Sequence, residues 1–206
     1  HDTKFGMTRD QLFQALTILK QKGVKIFGVH AMLSSCSLEQ NYYPALARKL
    51  FELTLEIREK TGITLSFIDM AGGIGIPYRP GESAVDIIAA GKGVRKAYEE
   101  LIRPNGIELA ILTELGRFVT GPHGYLLTRV VGEKHIYKEY IGVDASAADL
   151  IRPAMYNAYH HITVAGKEDQ NTDTTVDVVG PLCENNDKFA VDRPLPHTEI
   201  GDILVI

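Results

Sequence analysis

Three times between Thr8 and Thr113 the chain passes from a stretch of helical period to a short apolar run, and this alternation most restricts its fold. Thr8-x-x-Gln11 has the form of a capping box ahead of Leu12, Leu16 and Leu19, with Gly23 at the stop, so Thr8 to Lys22 is expected to be helical. Val24 to His30 follows as a buried strand. Tyr42 to Lys60 carries Leu46, Leu50, Leu53 and Ile57 on one stripe and ends before Gly62, the pattern of a second helix. Leu65 to Met70 is a strand, a glycine-rich loop comes next, and a helix from about Ala84 to Ile102 is closed by Pro104. Glu108 to Thr113 gives the third strand. Short connections between alternating elements imply parallel βα units, in an open sheet or a barrel.

Beyond Arg117 the pattern changes. Tyr125 to Val131, Ile136 to Val143, Tyr159 to Val164, Val176 to Val179 and Ile203 to Ile206 read as strands with little helix between them, an antiparallel β region. We place the boundary near residues 118–125, with one domain over 1–120 and a second, incomplete, over 121–206. Lys167 to Asp173 reads as a solvated polar loop. The first residue is His1 and the last four are the apolar Ile203 to Ile206. A bare apolar strand lacks ladder partners, so the chain is expected to be an internal piece of a longer protein.

Composition limits the function classes. The 206 residues are 45% hydrophobic and 23% charged, enough for a sizeable core. A net charge of −4 without a basic run argues against nucleic acid, and no apolar run approaches the roughly 20 residues that span a bilayer. Cys36 and Cys183 are the only cysteines, too few for a disulfide framework or a CxxC zinc site. A reduced, cytoplasmic protein acting on a small molecule is expected.

Ala71-Gly72-Gly73-Ile74-Gly75-Ile76-Pro77-Tyr78 directly follows a strand. Glycines there let backbone N–H groups approach an anion closely, at the end of a barrel strand where active sites and phosphate pockets lie. The loop alone reads equally well as a phosphate cradle or a tight turn, and it lacks the third glycine of a dinucleotide fingerprint. Glu114 and Arg117 end the third strand. By themselves they are most simply an exposed ion pair, yet a carboxylate also suits a protonated ring nitrogen and a guanidinium suits a carboxylate or phosphate. Arg152 and Tyr156 share a face if the backbone turns helically between them. Cys183 and Glu184 lie in a polar loop, where a thiol beside an acid suits proton transfer if it lines a cleft. The histidines show no metal spacing, and we expect no metal site.

Taken in order, these segments resemble one family. Lys4-Phe5-Gly6, the strand ending near His30, Gly72-Gly73-Ile74-Gly75-Ile76-Pro77-Tyr78, Glu114-Leu115-Gly116-Arg117, Val143-Asp144, Arg152-Pro153-Ala154-Met155-Tyr156 and Asp177-Val178-Val179-Gly180-Pro181-Leu182-Cys183-Glu184 are similar, in type and sequence, to the fold-type III pyridoxal-phosphate decarboxylases. This is the diaminopimelate, ornithine and arginine group with the alanine-racemase-like barrel. The likeness covers essentially the whole chain. Cysteine followed by glutamate resembles the diaminopimelate branch, since the ornithine enzymes have cysteine followed by aspartate.

The resemblance implies an α/β fold, part of a (β/α)8 TIM-type barrel followed by an antiparallel β domain. It implies a pyridoxal 5'-phosphate cofactor whose phosphate is held by Gly72, Gly73 and Gly75, with Ser35 as a further contact, and whose ring nitrogen pairs with Glu114. Arg117, Arg152 and Tyr156 would bind the substrate carboxylate that is not lost. Cys183 and Glu184 would reach a neighbouring subunit's site and help protonate the product, so a homodimer with shared active sites is implied. The implied reaction of the full-length protein is decarboxylation of meso-diaminopimelate to L-lysine. Decarboxylation or racemisation of another amino acid, or a cofactor-binding homologue without activity, are the alternatives. The family's cofactor-anchoring lysine is expected before His1 and a catalytic tyrosine beyond Ile206, so this piece alone is expected to be inactive. Three positions depart from the family. Met32 stands where a histidine usually stacks on the cofactor ring, with His30 about 6.6 Å back along the strand, and Ala71 and Leu115 replace a glycine and a proline.

Overall fold

The structure, a computed structural model, describes residues 4–206; residues 1–3 of the expected barrel domain lie outside them. The capping box forms as the sequence requires. Thr8 Oγ1 accepts the Gln11 N–H at 3.3 Å and Gln11 Oε1 accepts the Thr8 N–H at 2.8 Å, which starts α1 (Arg9–Gln21). Helix α2 (Tyr42–Thr61) buries Tyr43, Leu46, Ala47, Leu50, Phe51, Thr54 and Ile57, with Leu53 on the flank. Complete burial of a side chain such as Phe51 contributes roughly 1.5–3 kcal/mol. Helix α3 (Ile87–Leu101) starts later than its apolar pattern suggests, because the Asp86 carboxylate caps the N–H groups of Ile88 and Ala89.

Three strands follow these helices, β1 (Gly28–His30), β2 (Phe67–Asp69) and β3 (Ala110–Leu112). They pair in parallel in the order β1-β2-β3, with Gly28 opposite Phe67 and Phe67 opposite Ala110. Each is only three residues long. The run from Val24 is not wholly buried as expected: Ile26 is 70% exposed, and β1 lies at the edge of this sheet. The core beneath the sheet joins Val29, Ile68, Met70 and Leu109 to the buried face of α2. The short helix α4 (Gly116–Thr120) follows β3.

A six-stranded sheet makes up the second part. Its strands are β4 (Leu127–His135), β5 (Glu139–Val143), β6 (Thr163–Val164), β7 (Thr174–Val179), β8 (Lys188–Leu195) and β9 (Ile203–Val205), with the single turn α5 (Arg152–Tyr156) between β5 and β6. The order is β6-β9-β4-β5-β7-β8, antiparallel except for the β5–β7 pair. Val130, Val143, Val164, Val178, Phe189 and Leu204 form its core. Lys167 does not belong to a merely solvated loop: its ammonium pairs with Asp202 at 2.7 Å, and its side chain is only 19% exposed.

The described residues divide into two units, one running up to Ile76 and resuming over Ser83–Pro122, the other comprising Pro77–Glu82 and His123–Ile206. One cut near residue 120 therefore misses a short excursion. Tyr78 and Arg79 belong with the second unit because their side chains stack on His160 and Tyr159 there. Among the described residues no helix is long and apolar enough to cross a membrane.

Candidate functional site

Parallel strands in register bring their carboxyl ends together, and the loops that leave those ends build one cavity. Met32, Ser35 and Cys36 after β1, Gly72, Gly73 and Ile74 after β2, and Glu114 to Arg117 after β3 line about 200 Å³. The loops are tied to one another through their backbones. Ser37 N–H donates to Gly73 O at 2.7 Å, Gly75 N–H to Ser37 O at 2.8 Å, and Glu114 N–H to Ala71 O at 2.9 Å. The first turn of α2 adds two phenols. Tyr42 Oη accepts the Ser34 N–H at 3.1 Å, and Tyr43 Oη donates to Ala71 O at 2.5 Å. Burial, followed by the neighbouring Tyr42, Asp69 and Glu114, pushes the Tyr43 hydroxyl above its ordinary range, so it stays protonated and remains a donor.

Glycine is required where the loops cross. A Cβ on Gly72 would sit 2.5 Å from the Glu114 carbonyl oxygen, and one on Gly73 would sit 2.7 Å from Ser34 O. Close packing thus accounts for both glycines, and it leaves their amides in an unusual state. Among the described residues no acceptor takes the N–H of Gly72 or Gly73, although Gly72 is buried. Buried amides are nearly always paired, so this stretch has donors to offer an anion. The Gly75 N–H is already spent on Ser37, and Gly75 does not line the cavity.

Of the residues singled out from the sequence, the cavity gathers Ser35, Gly72, Gly73, Glu114 and Arg117. Glu114 and Arg117 do not form the exposed ion pair that is the simplest reading of their spacing. Across from the Glu114 carboxylate lies the His30 imidazole, with Nε2 3.9 Å away. His30, Asp69 and Glu114 each place one ligand-type atom within 4.8 Å of the other two. Sequence reasoning did not join these three, because they come from three separate strand ends, each sitting at or just beyond a strand's carboxyl end; it also passed over Tyr42 and Tyr43 in the first turn of α2.

The other candidates belong to the second unit. α5 turns helically as required. Arg152 donates through Nη1 to His160 Nε2 at 2.9 Å and lies over the Tyr78 ring at 4.8 Å, while Tyr156 is exposed. Arg79 and Arg193 each lie 4.1 Å from the centre of the Tyr159 ring. Cys183 is exposed in the loop after β7, and Glu184 lines a second cavity of about 510 Å³ with Tyr140 and Lys188. That loop hangs on Asp187, almost completely buried, whose carboxylate accepts the N–H groups of Ala147 at 2.6 Å and Leu182 at 2.8 Å.

Comparison with known families decides the class. Residues 1–121 match the pyridoxal binding domain of pyridoxal-dependent decarboxylases, and residues 117–206 match their C-terminal sheet domain. The chain belongs to the pyridoxal-dependent decarboxylases. Among curated relatives of this family, Protein TabA of Pseudomonas amygdali pv. tabaci is 38% identical over 99% of this chain and 48% of its own length. Diaminopimelate decarboxylase of Methanothermobacter thermautotrophicus is 35% identical over 99% of this chain and 48% of its own length. A crystal structure of diaminopimelate decarboxylase from Helicobacter pylori, complexed with L-lysine, superposes with a TM-score of 0.83 at 30% identity, covering all of this chain and 49% of that one. The chain spans about half the length of the curated relatives it matches.

The first cavity fits the family's cofactor. Pyridoxal phosphate presents a dianionic phosphate and, across the ring, a basic nitrogen. Acceptor-free amides at Gly72 and Gly73 with the Ser35 hydroxyl suit the former, and the Glu114 carboxylate suits the latter. At about 200 Å³ the cavity is smaller than the roughly 300–1,000 Å³ of a complete small-molecule site, as one wall of such a site would be.

Proposed function

We propose that the full-length protein decarboxylates the D-centre of meso-2,6-diaminopimelate to L-lysine with pyridoxal 5'-phosphate, as a cytoplasmic homodimer. One observation carries this reading: Gly72, Gly73 and Glu114 share the lining of a single cavity. The diaminopimelate decarboxylase relatives and the Cys183–Glu184 pair favour diaminopimelate as substrate. Bound pyridoxal phosphate supplies an electron sink for the carbanion left when carbon dioxide departs.

The chain's own residues have the following roles in this reading. Ser35, Gly72 and Gly73 hold the phosphate, and Gly75 supports the loop. The Glu114 carboxylate would accept a hydrogen bond from the ring N–H and keep that proton on the nitrogen. Arg117, Arg152 and Tyr156 bind the carboxylate that is retained, a task suited to planar guanidinium forks. Cys183 and Glu184 serve a neighbouring subunit's site, where they move a proton onto the product. The Asp187 anchor holds that loop in shape from behind.

Full-length protein supplied with pyridoxal phosphate is expected to release carbon dioxide from meso-diaminopimelate and to yield L-lysine. Carbon dioxide from ornithine or arginine but not from diaminopimelate would reassign the substrate. After borohydride reduction, mass spectrometry should find a pyridoxyl group on a lysine; its absence would remove the enzymatic reading.

A further inference from the structure

We infer that His30 is a positioning residue for Glu114, holding that carboxylate toward the cavity. The inference rests on the reading that Glu114 meets the cofactor's ring nitrogen. Register brings the participants together. His30 lies opposite Asp69 at the ends of β1 and β2, and Glu114 follows two residues after β3. Two carboxylates this close repel one another, which works against a fixed orientation for either.

An imidazole among the three relieves the repulsion. His30 Nε2 lies 3.9 Å from Glu114 Oε2, while Asp69 Oδ1 is already engaged by the Ala71 N–H at 2.8 Å. The nearby Tyr43 hydroxyl is committed to Ala71 O, and Met32 has no proton to share. With side chains 53% and 61% exposed, the His30–Glu114 pair adds little to stability. Its contribution grows when a ligand covers the cavity and displaces water, because imidazole and carboxylate then interact through a lower dielectric. The pair is thus placed to act on cofactor binding more than on folding.

The test measures pyridoxal phosphate dissociation constants, and the visible spectrum of the bound cofactor, for the full-length protein and four variants. These are H30A, H30Q, E114Q and the H30A/E114Q double variant. H30A is expected to weaken binding about tenfold and to move the absorption maximum. H30Q retains an N–H donor of similar reach and should recover most of the loss. The double variant should bind no more weakly than E114Q alone, since His30 acts through Glu114. Losses that multiply in the double variant, or an H30Q as weak as H30A, would overturn the inference. Disappearance of the coupling after chelation with EDTA would also overturn it, by showing that a cation bridges the trio. If E114Q itself binds the cofactor unchanged, the underlying reading fails; if E114Q weakens binding and H30A does not, only the role of His30 fails.

Discussion

Ala71 has a φ of +52°, in the left-handed region where an L side chain is crowded, and its neighbour Gly72 has no room for a Cβ. The two adjacent positions therefore respond unequally to a change of one methyl. Ala71→Gly relieves about 1–2 kcal/mol of strain. Against that stand roughly 0.8 kcal/mol of lost methyl burial and about 0.5–1 kcal/mol of glycine entropy. The expected net change is within about 1 kcal/mol of zero. Gly72→Ala forces a Cβ against the Glu114 carbonyl and is expected to cost about 1–3 kcal/mol by overpacking and to weaken cofactor binding. Urea denaturation of both variants checks this, and a Gly72→Ala as stable as the parent would mean that the loops do not cross where described. This residue-scale detail was only partly legible in the sequence. The glycine run announced a special loop, but not which glycines face the cavity. His30 could not be linked to Glu114 at all, because the pairing runs through strand register across 84 positions.

Elements are held at their ends here by capped helices and by buried carboxylates in the sheet. Asp177 in β7 is the clearest case. Its side chain is fully buried and accepts from Lys138 at 3.0 Å, Lys188 at 3.1 Å and the Asp192 N–H at 2.9 Å. Burial alone raises its pKa, but the Asp192 N–H and the two ammonium groups more than reverse this, and the carboxyl lies below its ordinary range. Because the folded form holds the proton less tightly than the unfolded chain, this stabilisation is complete above the unfolded value of about 4. It drains away as pH falls through the lower folded value. Thermal midpoints should accordingly drop below about pH 4 in the parent, and Asp177→Asn should flatten that drop while costing roughly 1–3 kcal/mol at neutral pH. An unchanged acid slope in the variant would assign the effect to other groups. The same region explains why β8 was not foreseen. Asp192 takes a φ of +47° and the β7–β8 register shifts between Val176 and Val178, so the apolar alternation is interrupted just where Asp192 folds back onto Asp177. By contrast α1 and α2 were legible to within a residue, since the capping box and apolar stripes are local signals.

At the scale of the molecule, the change from alternating helices and strands to successive strands was plain in the sequence, and both family domains match along the same two halves. The excursion of Pro77–Glu82 into the second unit was not, because it depends on aromatic and guanidinium stacking between distant segments. Loops from the ends of three parallel strands form one anion-ready surface with an acid beside it. The most direct measurement is a crystal structure of the full-length protein with pyridoxal phosphate. The phosphate should accept from the Gly72 and Gly73 amides, with the ring nitrogen within hydrogen-bonding distance of Glu114. A phosphate bound elsewhere, or a ring nitrogen with a partner other than Glu114, would contradict the account.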